Sequence, residues 1–102
     1  MLNIDCRTNK ITVTKGDKAY INFRTANYKL TKGDRVVFRA FKDEDDIFVC
    51  EANKFNEKGF TTIKLSTENT TQEVGVYSYT IRVITTLGID ETIIKSELEI
   101  KE

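Results

Sequence analysis

Hydrophobic and polar residues alternate along most of the chain. From Lys18 to Thr25, Ala19, Ile21 and Phe23 share one parity, while Tyr20, Asn22 and Arg24 share the other. From Arg35 to Lys42, Val36, Phe38 and Ala40 oppose Val37, Arg39 and Phe41. Successive side chains of a strand point to opposite faces, so this period of two predicts strands with one face in a core and one in solvent. From Val76 to Thr85, Tyr77, Tyr79, Ile81 and Val83 alternate with Ser78, Thr80 and Arg82. From Glu91 to Lys101, Ile94, Ser96, Leu98 and Ile100 alternate with Ile93, Lys95, Glu97 and Glu99. Shorter runs at Leu2 to Cys6, Ile11 to Thr14, Ile47 to Ala52 and Phe60 to Leu65 complete the predicted set.

Turn residues separate these runs. Gly16, Gly33, Gly59, Gly75 and Gly88 each fall between two of them, and Pro is absent. The link Thr86-Leu87-Gly88-Ile89-Asp90 is of hairpin length and predicts that the last two strands are antiparallel neighbours. Thr, Ile and Val number 14, 11 and 7, whereas Ala and Leu together number 9. Side chains branched at Cβ lose rotamer freedom in a helix and pack well on a pleated surface, so the bias favours strand. The expected fold is an all-β, two-sheet antiparallel sandwich of seven or eight strands, one domain over residues 1–102.

Charge and composition narrow the function. Sixteen Lys and Arg balance sixteen Asp and Glu, which argues against a nucleic-acid partner or an anionic membrane surface. Histidine is absent, which removes Ser-His-Asp and Cys-His catalysis and every His-containing zinc site. Paired-carboxylate hydrolysis needs a deep cleft that a small filled sandwich has little volume to provide, so no enzyme activity and no small-molecule substrate are expected. No cofactor and no metal are expected either. The run Asp43-Glu44-Asp45-Asp46 lacks the alternate ligand spacing and central Gly of a calcium loop and reads as a solvated hairpin tip. Lys15-Gly16-Asp17 and Lys32-Gly33-Asp34 read as turns.

Cys6 and Cys50 have no zinc-ligand spacing and no neighbouring base, and are expected to be buried or half-buried free thiols. No basic-then-apolar leader opens the sequence, and no apolar stretch approaches the roughly 20 residues that cross a bilayer. Synthesis in the cytoplasm is therefore the expectation. The outward parity of the fourth, seventh and eighth strands places Val37, Phe41 and Ile93 among Arg39, Arg82, Lys95 and Glu97. Apolar residues rimmed by charge are a candidate subunit or partner interface.

Glu73-Val74-Gly75-Val76-Tyr77 has the acidic-x-Gly-x-Tyr form that opens strand F of immunoglobulin-like domains, where the Tyr hydroxyl turns back to the backbone. Gly75 and Tyr77 are thus candidates for a structural tyrosine corner. Tyr79 stands where antibody domains carry the second sheet-bridging Cys, and no Trp is present.

Four stretches carry a wider resemblance: Ile11-Thr12-Val13-Thr14-Lys15-Gly16-Asp17; Leu30-Thr31-Lys32-Gly33-Asp34 leading into Val36-Val37-Phe38; Ile63-Lys64-Leu65-Ser66-Thr67-Glu68-Asn69-Thr70; and Gly75-Val76-Tyr77-Ser78-Tyr79-Thr80-Ile81. In order and spacing they resemble the immunoglobulin-like domain at the N-terminus of phage baseplate upper proteins and of related prophage tail proteins of Gram-positive bacteria. The resemblance implies a non-enzymatic structural or assembly component of a phage or prophage tail, whose partners are other tail proteins or further copies of itself. It implies residence in the virion tail once assembled. The connection Asn53 to Lys58 departs from that pattern. The alternative is a stand-alone immunoglobulin-like binding module for a host protein, a protease or a glycan, with Tyr28 and Phe55 as loop anchors.

Overall fold

Alternation becomes sheet almost wherever it is predicted. The computed structural model describes residues 2–24, 30, 33–52 and 60–102. Its strands are β1 (Asn3–Ile4), β2 (Ile11–Thr14), β3 (Ala19–Arg24), β4 (Arg35–Lys42), β5 (Asp45–Ala52), β6 (Phe60–Leu65), β7 (Gly75–Ile84) and β8 (Asp90–Lys101). A single helical turn, α1 (Thr67–Thr70), lies between β6 and β7. The four residues of α1 are too few to cross a membrane.

Six strands form one sheet in the order β1-β2-β8-β7-β4-β5, and β3 pairs with β6 in the other. This is an immunoglobulin-like all-β sandwich. One pairing departs from the antiparallel expectation: β2 runs parallel to β8, with Ile11 beside Leu98 and Thr14 beside Lys101. No local pattern encodes that contact, because parallel neighbours cannot be joined by a hairpin and here the whole intervening domain separates them. The opening segment folds back within its own chain, Asn3 opposite Thr12 and Ile4 opposite Ile11.

The inward parities of both sheets fill the interior. Val13, Val36, Phe38, Ile63, Leu65, Val83, Leu98 and Ile100 are fully buried. Phe38 stacks between Tyr79 and Phe48, with ring centroids 5.0 and 5.8 Å away. Two bulges interrupt the alternation. Ala40 pairs with Phe48 but Phe41 with Asp46, which leaves Ile47 extra; Ile81 pairs with Ile94 but Arg82 with Thr92, which leaves Ile93 extra. A bulge opposes two residues to one and bends the strand. In each case both consecutive apolar residues, Ile47 with Phe48 and Ile93 with Ile94, pack against the core.

The helical turn was not expected, and its cause is local. Ser66 caps it by accepting the Asn69 N–H at 3.1 Å, while the Asn69 side chain accepts the Ser66 N–H at 3.0 Å. Buried Thr70 then donates its hydroxyl to the Asp17 carbonyl at 2.7 Å, tying the turn at Gly16 to α1.

Candidate protein-interaction surface

The outward face of the six-stranded sheet is built row by row from the strand register. Across the middle, Val49 of β5, Arg39 of β4, Thr80 of β7 and Lys95 of β8 stand side by side. Glu51, Val37, Arg82 and Thr92 form the row on one flank, and Asp46, Phe41, Ser78 and Glu97 the row on the other. Five of the six residues expected to share a surface therefore do so: Val37, Arg39, Phe41, Arg82 and Lys95. Ile93 does not. It is the extra residue of the β8 bulge and packs against the core, so the outward position predicted from strict alternation is corrected here.

Val49 takes its place. It is 50% exposed beside Arg39, and the sequence reading missed it because the Ile47 bulge conceals the parity of β5. Buried Ala52 supplied the signal, since counting back from it by twos puts Val49 and Glu51 outward.

Ion pairs frame these apolar residues. Arg35 meets both carboxylate oxygens of Glu51, at 2.6 and 3.1 Å. Arg39 pairs with Asp46 and lays its guanidinium 4.4 Å from the centre of the Phe41 ring. Arg82 pairs with Asp90, and Lys10 with Glu99 at 3.0 Å. The hydrogen bond from Arg35 holds the Glu51 carboxyl below the usual carboxylate range, and Lys10 does the same to Glu99. Solvent-exposed pairs of this kind contribute only about 0–1 kcal/mol each, so their main effect is to order the long side chains around the apolar centre.

At the other end of β7, Tyr77 donates its hydroxyl to the Glu73 carbonyl at 2.5 Å, four residues upstream, and Lys42 lies 5.7 Å from its ring centre. Gly75 opens β7 opposite Ile100 with empty space where a Cβ would stand. Both cysteines are free, but Cys6 is exposed on the short turn after β1 rather than buried. That turn is too small to enclose it. Cys50, a residue of β5, is half-buried against the core, where burial pushes its thiol up to about 11. The loop candidates Tyr28 and Phe55, the Asn53 to Lys58 connection, Gly59 and the Thr31-Lys32 part of one turn lie outside the described residues.

Tyr79 has a role the sequence did not disclose. Its hydroxyl donates to the carbonyl of Asn9, which closes the β1–β2 connection at φ 63°. Burial raises the phenol from 10.0 to about 12. Because the folded state favours the neutral form, this contribution is complete below pH 10 and is lost as pH rises through about 12. In a tyrosinate absorbance titration, Tyr79→Phe should delete a step near pH 12. Titration of all the tyrosines together near the ordinary value would contradict this.

No family model matches the chain, and no curated protein matches it. Among solved structures, its fold is similar to part of a chain described as a "putative glycoside hydrolase" from Bacteroides vulgatus ATCC 8482, with a TM-score of 0.52 and 13% sequence identity. The match covers 89% of this chain and 16% of that one. At that identity the likeness concerns the sandwich alone.

Proposed function

We propose that this domain is a non-catalytic assembly component that acts through protein–protein contact, of the kind found in the tails of phages and prophages. The observation that carries the reading is the outward sheet face on which Val37, Phe41 and Val49 surround Arg39. Aromatic and Arg residues are enriched where protein partners bind, and a polar rim around an apolar centre is the usual anatomy of such a surface. The carboxylates on this face favour the same reading. Glu51 and Glu99 are held in their charged form by cations, the reverse of the shift that prepares a general acid. The tail setting rests on the resemblance of the four sequence stretches quoted above.

The test is co-expression with the products of the genes flanking this one, followed by size-exclusion chromatography with light scattering. A stable complex with a flanking tail protein is expected. Phe41→Lys combined with Val49→Glu should weaken that complex tenfold or more, about 1.4 kcal/mol. Each substitution faces an opposite charge in register, Asp46 and Arg39 respectively, so the fold is retained. Flanking genes without virion proteins, or tail proteins that elute apart from this chain, would overturn the proposal.

A further inference from the structure

The outward face of the two-stranded sheet is unlike the face described above. Its register places Tyr20 opposite Lys64, Asn22 opposite Thr62, and Arg24 opposite Phe60. The two aromatics therefore occupy one diagonal of a small platform and the two cations the other. Tyr20 is 55% exposed and Phe60 38%, both large for aromatic rings on a folded surface. Arg24 lies 5.3 Å from the centre of the Phe60 ring, and the Thr62 hydroxyl donates to the Asn22 carbonyl oxygen at 2.6 Å. The platform thus presents a guanidinium, an ammonium and an amide group beside two rings, and among the described residues no carboxylate stands on it.

The same chain carries a matching surface of opposite sign. The β4–β5 hairpin turns at Asp43-Glu44, with Asp43 at φ 56°, and Asp43, Glu44 and Asp45 are all exposed. Asp46 is held by Arg39, whereas the structure gives the other three no ion pair among the described residues. The tip belongs to the six-stranded sheet, and the platform faces away from that sheet, so the two cannot meet within one molecule. With a net charge of +0, the protein has no overall repulsion to oppose contact between copies.

We infer that the β3–β6 platform is a docking site for a second copy of this chain, which inserts its acidic Asp43–Asp45 hairpin tip between Arg24 and Lys64. Each copy offers one platform and one tip, so the contact closes as a reciprocal dimer or a ring where the rotation allows and runs on as a filament where it does not. It uses neither Phe41 nor Val49 and stands or falls independently of the tail-protein surface.

Sedimentation velocity tests this directly. The average mass of the wild-type chain should rise with concentration at about 50 mM salt and fall back toward the monomer at about 500 mM. Arg24→Ala with Lys64→Ala, and separately Asp43→Asn with Glu44→Gln and Asp45→Asn, should each weaken self-association tenfold or more. Mixed together, these two variants should form a 1:1 pair and nothing larger, since only one good platform and one good tip remain. A platform-to-platform or tip-to-tip contact cannot give that result. Circular dichroism of each variant establishes that it is folded. A wild-type chain that stays monomeric at every concentration, or folded variants that associate like the wild type, would overturn the inference.

Discussion

Phe38→Ala is expected to cost about 3–5 kcal/mol of folding free energy, measured by urea or guanidinium titration. Phe38 is fully buried at the centre of β4, between Cys50 of β5 and Ile81 of β7, with its ring stacked against Phe48 and Tyr79. Truncation removes the transfer energy of the ring and leaves a cavity that two stiff, paired strands cannot close. Small domains have about 5–15 kcal/mol in total, so the variant should sit near the edge of folding. Phe38→Leu restores most of the volume and should cost less than half as much.

The damage should also spread in a defined direction. Tyr79 leans on Phe38, and its hydroxyl holds the Asn9 carbonyl that closes the β1–β2 connection. Hydrogen exchange at the Asn9 N–H, which donates to the Asp5 carbonyl at 2.7 Å, should therefore accelerate in Phe38→Ala more than exchange in the β4–β7 ladder. A loss below about 1.5 kcal/mol, or exchange that rises equally everywhere, would show that the stack does not organise this side of the sandwich.

Most of this architecture was legible because burial on one face leaves its mark on every second residue. Ala19, Ile21 and Phe23 in β3 and Val36, Phe38 and Ala40 in β4 all face inward as their parity predicts. What alternation hides is any event of one residue. The two bulges look in sequence like a pair of adjacent apolar residues, and they moved Ile93 off the candidate surface while bringing Val49 onto it. The parallel β2–β8 pairing was illegible for another reason, since it joins segments at opposite ends of the chain. The platform of Tyr20, Arg24, Phe60 and Lys64 could be listed by parity but not assembled, because the pairing of β3 with β6 is likewise non-local. Lys32-Gly33-Asp34 reads as a turn, and the position of its last residue shows how little of an acidic side chain's environment a turn motif reveals.

Asp34→Ala is the second large effect, expected at about 2–3 kcal/mol. Asp34 is 4% exposed at the entrance to β4, and its carboxylate accepts the Thr86 N–H at 2.9 Å, from the hairpin between β7 and β8. The substitution removes a hydrogen bond to an ionised acceptor, a kind that contributes about 1.5–3 kcal/mol. Gly33 supports the same contact. At φ 98° it has a backbone that other residues adopt at a cost, and a Cβ there would stand 3.0 Å from the Thr86 methyl group. The tether fixes the base of a hairpin whose tip, among the described residues, is otherwise held by local bonds: Thr85 N–H to the Ile89 carbonyl at 2.8 Å, Gly88 N–H to the Thr85 carbonyl at 3.1 Å and Ile89 N–H to the Thr85 hydroxyl at 3.1 Å. At that tip Leu87 is 92% exposed and Ile89 42%. Hydrogen exchange over residues 85–89 should therefore rise sharply in Asp34→Ala, while the far end of the β7–β8 ladder, near Tyr77 and Leu98, keeps its protection. Asp34→Asn keeps the shape and one acceptor oxygen and should lose about half as much. Full retention of stability in Asp34→Ala would mean that the hairpin is set by its own turn bonds, and that the buried carboxylate contributes nothing to the way Leu87 is displayed.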